Sequence, residues 1–307
     1  MINTAQFAKS RGFTLVEAIV VIVITGIIGG MVAVFIRAPV QGYVDAQRRA
    51  EMTDVADTAV RRLARDIRLA LPNSVRMSQA NVVNDQCIEF IPTKIGARYR
   101  AVVDGAGNGD PLDFAAVDNA FDMLWPNAGL PAAVQIVPGD VVVVYNDGSP
   151  NGGDAYSGVN AIQVAAVGAG GTANSTALTF VAAGVAVPFN PKQLPHASPD
   201  GRFQIIPAGS HVVSYRCNNG TLTRNNRVLN AAWGQPANCA AMVAGVAPAN
   251  TAVLATNVGQ CSLIYERPGA STGLSRFGIV SMSLQINDPA SGESVNLYDQ
   301  VHVDNTP

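Results

Sequence analysis

The N-terminal part of the chain contains one long and almost unbroken run of apolar positions. Residues 13–36 read FTLVEAIVVIVITGIIGGMVAVFI and carry a single charge, at Glu17. As a helix this run would extend about 36 Å, enough to cross the hydrocarbon core of a bilayer. A secretory signal peptide would have a shorter apolar core and an A-x-A-like cleavage site, which the sequence lacks. The run therefore predicts a membrane-spanning helix over residues 13–36.

Beyond this run the pattern becomes amphipathic. Pro39 and Gly42 predict an interruption and a bend, because proline removes one backbone hydrogen bond and kinks a helix. From Tyr43 onward, apolar residues recur at steps of three and four, and Pro72 should end the helix. The members of this apolar face are Met52, Val55, Ala59, Leu63, Ile67 and Ala70. We therefore expect an amphipathic helix over residues 37–71.

The opposite face of this second helical stretch carries charges of both signs. Its members are Arg48, Arg49, Glu51, Asp54, Asp57, Arg61, Arg62, Arg65, Asp66 and Arg68. Such an array is typical of a solvated face with ion pairs four residues apart. A surface that docks onto another chain is the alternative.

After residue 71 the chain changes to short strand-like runs separated by Gly, Pro, Asn and Asp. The runs are 141–145, 161–167, 177–181, 211–217, 221–224, 262–266 and 277–286. Three stretches rich in Gly, Asn and Asp indicate loops, at 104–111, 146–153 and 168–176. The sequence thus predicts an α+β fold, in which a long N-terminal α-helix packs on a mainly antiparallel β-sheet head domain over 72–307.

Composition narrows the function classes. The chain is 48% hydrophobic and only 14% charged, whereas an ordinary domain has about 25% charged residues. This excludes a disordered chain and a coiled coil. Lys plus Arg number 20 and Asp plus Glu 22, a net charge of −2. Because no strong positive field exists, nucleic acid is not an expected partner.

The four cysteines favour disulfides over a metal site. Cys87, Cys217, Cys239 and Cys261 form no C-x-x-C pair and have no histidine at metal-ligand spacing. An even cysteine count in an exported domain favours two bridges. The sequence permits three connectivities. We favour Cys217 with Cys239 and Cys87 with Cys261, because the first pair closes a short loop behind a hairpin.

Two further motifs match known sites only in part. Residues 269–273 fit the G-x-S-x-G pattern of hydrolases at Ser271, but a strand follows, where that pattern requires a helix. The candidate bases His196, His211 and His302 show no local sign of approaching this serine. Residues 104–110 could offer calcium oxygens from Asp104, Asn108 and Asp110, but Ala106 and Ala115 stand where an EF-hand needs ligands. We expect two polar loops, no catalysis and no metal.

Glu17 is the anomaly in the apolar run. A carboxylate near the start of a membrane span costs roughly 2–3 kcal/mol unless a partner neutralises it. Its neighbours Leu15, Val16, Ala18 and Ile19 offer none, so we expect the cation to come from another chain or from a new chain terminus.

The segment KSRGFTLVE, residues 9–17, resembles the leader and mature start of type IV pilins and type II secretion pseudopilins. The resemblance implies that prepilin peptidase cuts after Gly12 and methylates the new amine of Phe13. It also implies that Glu17 pairs with the amine of a neighbouring subunit during filament assembly.

The resemblance also implies an organisation and a set of partners. Residues 1–12 are a cytoplasmic leader, 13–36 the membrane and assembly helix, and 72–307 a periplasmic head. The charges flanking the span favour neither orientation on their own. The expected partners are other pilin subunits, prepilin peptidase, the inner-membrane assembly platform and inner-membrane lipid. No cofactor is implied.

Segments downstream carry a closer resemblance, to minor subunits of the mannose-sensitive haemagglutinin (MSHA) pilus system. They are 61–76, 86–92, 214–217, 220–224, 261–265, 276–280 and 299–307. Residues 101–208 resemble nothing that we recognise. A minor pseudopilin of a type II secretion system, an inner-membrane-anchored enzyme and an adhesin remain alternatives.

Overall fold

A computed structural model describes residues 12–80, 82, 84–149, 152–182, 188–267 and 277–307. A long N-terminal helix is followed by a mostly antiparallel β-sheet domain, which confirms the α+β class. The chain divides into two compact units, Met1–Glu51 and Met52–Pro307. The first unit contains the apolar part of the helix, and the second contains all the strands found in the described residues.

Helix α1 spans Leu15–Arg68 and continues through Pro39 and Gly42. The predicted interruption at these two residues is therefore wrong. A proline removes only one hydrogen bond of the ladder, and long helical stretches on both sides keep this 54-residue helix together. The helix ends slightly before the predicted limit at residue 71, because Ala70 already forms a β-bridge with Pro92.

The second unit buries one face of α1. The buried positions are Met52, Ala56, Ala59, Val60, Leu63, Ala64 and Ile67. Four of these were predicted. Val55 is 39% exposed instead, because the stripe follows the 56, 60 and 64 positions rather than 55.

Fourteen strands, all paired antiparallel, form three sheets in the described residues. The five-stranded sheet has the order β1 (Arg76–Met77), β2 (Asp85–Phe90), β9 (Val212–Asn218), β10 (Thr221–Arg227) and β11 (Thr251–Ala255). The three-stranded sheet has the order β12 (Val258–Glu266), β13 (Phe277–Asn287) and β14 (Ser294–Asp304). The six-stranded sheet has the order β3 (Ile95–Arg98), β8 (Arg202–Ile206), β5 (Val141–Val143), β6 (Ala161–Ala169), β7 (Thr176–Phe180) and β4 (Ala120–Met123). Short helical turns lie at Asn127–Gly129, Cys239–Met242 and Pro248–Asn250.

All seven predicted strand runs lie on observed strands: β5, β6, β7, β9, β10, β12 and β13. Strands β1 to β4, β8, β11 and β14 were not predicted. The loops predicted at 104–111 and 146–153 contain no strand in their described residues, whereas β6 and β7 extend into the ends of the third predicted loop, at 168–176.

The buried face of α1 packs on two of these sheets at once. Its core cluster includes Phe90 and Tyr215 from the five-stranded sheet and Leu284 and Val301 from the three-stranded sheet. The helix therefore serves as the shared core element of both sheets.

The six-stranded sheet has a core of its own. Phe121 packs edge-on against Phe203, with ring centroids 5.2 Å apart, and lies 5.7 Å from Phe180. All three rings are buried. The six-stranded sheet thus adds a second core to the head, and its strands β4 to β8 lie within residues 101–208, which resemble nothing that we recognise.

A buried carboxylate joins the five-stranded sheet to the surrounding loops. Glu89 is fully buried and accepts from Arg76 Nε at 2.6 Å and from an Arg227 guanidinium nitrogen at 2.7 Å. The Arg76 guanidinium lies 3.3 Å from the ring centroid of Tyr156, and that of Arg227 lies 3.9 Å from that of Trp233. Burial raises the pKa of Glu89, while the two guanidinium groups oppose the rise.

The disulfides join Cys87 to Cys239 and Cys217 to Cys261, so the favoured connectivity is wrong. Cys87 and Cys217 lie on the paired strands β2 and β9, one residue apart in register. Adjacent register positions point to opposite faces of a sheet. Cys217 therefore reaches the three-stranded sheet, while Cys87 reaches the short helix that begins at Cys239.

Burial of His211 makes stability depend on pH. The side chain is 4% exposed, its Nδ1 accepts the Leu229 N–H at 3.1 Å, and its ring lies edge-on to Phe189. Burial lowers the pKa of His211 from 6.5 to about 4. The unfolded chain thus binds the proton more tightly, and stability that is complete above about pH 6.5 is lost as the pH falls towards 4.

We predict that His211→Gln removes this acid sensitivity. Between pH 7 and 4.5 the native protein should lose about 2–3 kcal/mol more stability than the variant. Denaturant unfolding at both pH values measures the difference. His302→Gln, on an exposed histidine of β14, is the matched control and should behave as the native chain. Equal losses of stability between pH 7 and 4.5 in the native protein and in His211→Gln would contradict the prediction.

Candidate functional site

The first turn of α1 is closed by a reciprocal pair of residues. The Thr14 backbone N–H and Oγ1 donate to Glu17 Oε2, at 3.0 and 2.8 Å, and the Glu17 N–H donates to Thr14 Oγ1 at 3.2 Å. This is the capping-box arrangement, in which Thr and Glu three residues apart satisfy backbone donors that have no partner within the helix. The sequence Thr-Leu-Val-Glu therefore fixes where the helix begins.

This partner of Glu17 was not predicted, although the T-x-x-E spacing of Thr14 and Glu17 is the signal of a capping box. The capping box occupies Oε2 alone. Glu17 Oε1 makes no hydrogen bond to any residue that the structure describes. The carboxylate can therefore cap its own helix and still accept a donor from outside.

Gly12 and Phe13 lie immediately before this turn. A Cβ built at Gly12 would meet nothing within 4 Å, and the Phe13 side chain is 74% exposed. The described residues therefore leave the peptide bond between Gly12 and Phe13 accessible to a protease. Residues 1–11, which include most of the predicted leader, lie outside the described residues, so the processing site stays a prediction.

The apolar part of α1 is exposed over its length. None of this apolar stretch is buried, and the helix is long and apolar enough to cross a membrane. Added Cβ atoms at Gly26, Gly29 and Gly30 would meet nothing within 4 Å. Lipid or other helices are the natural surroundings of the exposed apolar side chains in this part of α1.

Carboxylates on the charged face of α1 in the second unit have two kinds of partner, within the helix and on the sheet. Arg61 Nε donates to Asp57 at 2.8 Å, one turn away, as expected of a solvated face. Asp66 instead accepts from Tyr215 Oη at 2.8 Å and from Arg224 Nε at 2.5 Å. One carboxylate of this face therefore docks the helix onto β9 and β10 of its own head.

The loop considered for calcium is closed by its own hydrogen bonds. Asp104 accepts from the backbone N–H groups of Ala106 and Asn108, at 2.9 and 2.7 Å, and these bonds lower the pKa of its carboxyl. Among the described residues, no group of three or more His, Cys, Asp or Glu side chains is placed to hold a metal ion. Ser271 and its G-x-S-x-G match lie outside the described residues.

Residues 7–33 match the family model described as the prokaryotic N-terminal methylation motif. The match covers the cleavage and capping residues together with most of the apolar run. It supports a type IV pilin-like or pseudopilin-like protein, and it implies processing by prepilin peptidase and pilin assembly. Comparison with curated proteins found no match, and comparison with solved structures found none either.

The capping box can be tested in the first turn of α1. Thr14→Val keeps the shape of the side chain but removes the hydroxyl, and should destabilise this turn by about 1 kcal/mol. Amide hydrogen exchange in micelles should become faster at residues 14–17 and remain unchanged beyond the second turn. Thr25→Val, within the same helix, is the matched control. Unchanged exchange in Thr14→Val would show that the capping box is not formed.

Proposed function

We propose that the chain is a minor structural subunit that helps to initiate or cap a type IV pilus, and that it has no enzymatic activity. The observation that carries the proposal is the methylation motif at residues 7–33, which coincides with a capped, fully exposed apolar helix. A filament subunit needs such a helix because the same apolar surface must suit lipid before assembly and sister helices afterwards.

Glu17 supplies the assembly contact in this proposal. Cleavage after Gly12 would leave a charged amine on Phe13. Glu17 Oε1, which has no hydrogen-bond partner among the described residues, can accept a hydrogen bond from such an amine on a neighbouring subunit. In an apolar surrounding, an unpaired charge is costly and a paired one far less so. Pairing of amine and carboxylate therefore sets the register of one helix against the next.

The proposed location is the inner membrane, with the head in the periplasm, followed by transfer into the filament. Two disulfides in the head support an oxidising compartment, since such bridges rarely persist in the cytosol. The assembly platform and inner-membrane lipid are the further partners of this proposal.

We further propose that the chain belongs to an MSHA-type pilus, as a protein resembling MshO. The segments that carry this resemblance fall on α1 and on strands β1, β2, β9, β10 and β12 to β14. These are the elements of the helix and the two sheets that share its core, and none of the segments lies in the six-stranded sheet. A minor pseudopilin of a type II secretion system is the second candidate, because pilins and pseudopilins share the N-terminal motif.

The processing step predicts a defined mature chain. Expressed in membranes with a prepilin peptidase, the protein should begin at a methylated Phe13, and without the peptidase it should keep Met1. Intact mass and N-terminal sequencing measure both. Persistence of Met1 with an active peptidase, or cleavage beyond residue 36, would contradict the proposal.

The assembly step predicts that Glu17→Ala leaves membrane insertion intact and abolishes incorporation into pili. Glu51→Ala, which changes an exposed carboxylate on the same helix, should be incorporated normally. Thr14→Val separates the two roles of Glu17, because it removes the hydroxyl of the cap and keeps the carboxylate. Immunoblots of sheared filaments and of membranes measure incorporation and insertion. Normal incorporation of Glu17→Ala would exclude the pairing mechanism.

A further inference from the structure

An open cleft of about 600 Å³ lies on the head beside the last residue of β3, Arg98. Its volume falls within the range of about 300–1,000 Å³ that is usual for small-ligand sites. Five residues of its lining bear on what it could bind: Arg98, Val102, Val103, Leu124 and Asp200. We refer to it as the Arg98 cleft.

Strand pairing places two arginines next to each other at this cleft. Arg98 of β3 lies directly opposite Arg202 of β8 in the register of the two strands. Directly opposite residues share a face of a sheet, and like charges in such a pair repel each other. The face that they share points away from the core, because the residues next to them in sequence, Tyr99 and Phe203, belong to the core cluster. Two positive charges therefore lie side by side on the exposed face.

One of these two arginines has an anionic partner among the described residues. Arg202 forms an exposed ion pair with Asp200, with 3.3 Å between nitrogen and oxygen. Arg98 is exposed, and its side chain makes no hydrogen bond or ion pair to any residue that the structure describes. The uncompensated positive charge of the cleft is therefore at Arg98.

The other two charged residues of the lining, Arg100 and Asp104, are held by partners of their own. Arg100 donates to Thr172 Oγ1 at 2.8 Å, and its Nε lies 3.6 Å from a carboxylate oxygen of Asp122. Asp104 accepts the backbone N–H groups of its own turn, one of them from Asn108 at 2.7 Å. Neither side chain is therefore available to neutralise Arg98.

Exposed aliphatic residues accompany Arg98 in the lining. The Leu124 N–H donates to the Arg98 carbonyl at 2.9 Å, within a short antiparallel pairing of the two segments that places Leu124 opposite Arg98 on the same face. Leu124 is exposed, as are Val102 and Val103 in the loop that follows β3. Exposed aliphatic side chains beside an unpaired cation suit a ligand with an apolar part and an anionic end.

We propose that the Arg98 cleft binds an aliphatic carboxylate, a ligand with one carboxylate group and an unbranched apolar tail of medium length. The guanidinium of Arg98 pairs with the carboxylate, since the two planar groups match in geometry. The negative charge also offsets the repulsion between Arg98 and Arg202. The tail covers Leu124, Val102 and Val103 and removes their apolar surface from water. The inference does not depend on the proposed function, because the assembly residues of α1 take no part in it.

The test uses the full-length chain in phosphatidylcholine nanodiscs, with octanoate as the probe. NMR of labelled methyl groups follows the signals of Val102, Val103 and Leu124, which octanoate should shift in a saturable way. Free octanoate is measured separately, because part of it partitions into the discs. Acetate has the charge without the tail, and octanol has the tail without the charge. Each of these two should bind at least about tenfold more weakly than octanoate.

Three variants identify the groups that bind the carboxylate. Arg98→Gln removes the charge but keeps most of the side chain, and should weaken octanoate binding by about tenfold or more, as expected from the loss of a charged hydrogen bond. Asp200→Asn should strengthen binding, because it removes the carboxylate that competes for Arg202. Arg65→Gln, which changes an exposed arginine of α1 outside the cleft, is the matched control and should bind as the native chain does.

Thermal unfolding separates loss of binding from loss of the fold. Arg98→Gln should unfold at the same temperature as the native chain or at a higher one, since it removes a contact between like charges. The proposal fails if octanoate gives no saturable shift, if octanol binds as tightly as octanoate, or if Arg98→Gln binds octanoate as tightly as the native chain. Because pilus incorporation is a separate measurement, failure here leaves the proposed filament role unaffected.

Discussion

The second unit depends on the apolar face that α1 presents between Met52 and Ile67. Burying a leucine or isoleucine contributes about 1.5–3 kcal/mol, and this face buries Leu63 and Ile67 almost completely. The alanines at 56, 59 and 64 keep the face narrow, so that β-sheets can approach the helix closely. Because the five-stranded and three-stranded sheets share this one surface, a defect in the helix would loosen both sheets together.

A buried group of charged side chains also constrains the structure of the head. Glu89 is fully buried on β2, where burial raises the pKa of its carboxyl and the ion pairs with Arg76 and Arg227 oppose that rise. Aromatic rings cover both guanidinium groups. A buried charge cluster of this kind tolerates few alternative arrangements, since any displaced partner leaves an uncompensated charge. It therefore specifies how the loops bearing Tyr156 and Trp233 sit on the sheet.

The sequence predicted those features whose cause is local. The apolar run and the alternation along β13 were sufficient because each depends on its own residues alone. Strand β2 was missed because Glu89 interrupts its apolar pattern, and β14 because Asp299 interrupts its alternation. Both exceptions depend on tertiary surroundings. The disulfide connectivity failed for a related reason, since spacing along the chain says nothing about which face of a sheet a cysteine occupies. By contrast, the capping threonine at position 14 could have been found from spacing alone.

Formation of both disulfides depends on the register in which β2 pairs with β9. Cys87 and Cys217 sit one step apart on paired strands and point to opposite faces. A slip of β2 by one residue against β9 would turn every side chain of the shifted strand to the other face, and would carry Cys87 away from Cys239. Oxidation of both pairs is thus compatible with one alignment of these strands. A head with both disulfides formed is therefore one in which β2 and β9 are already paired in their native register.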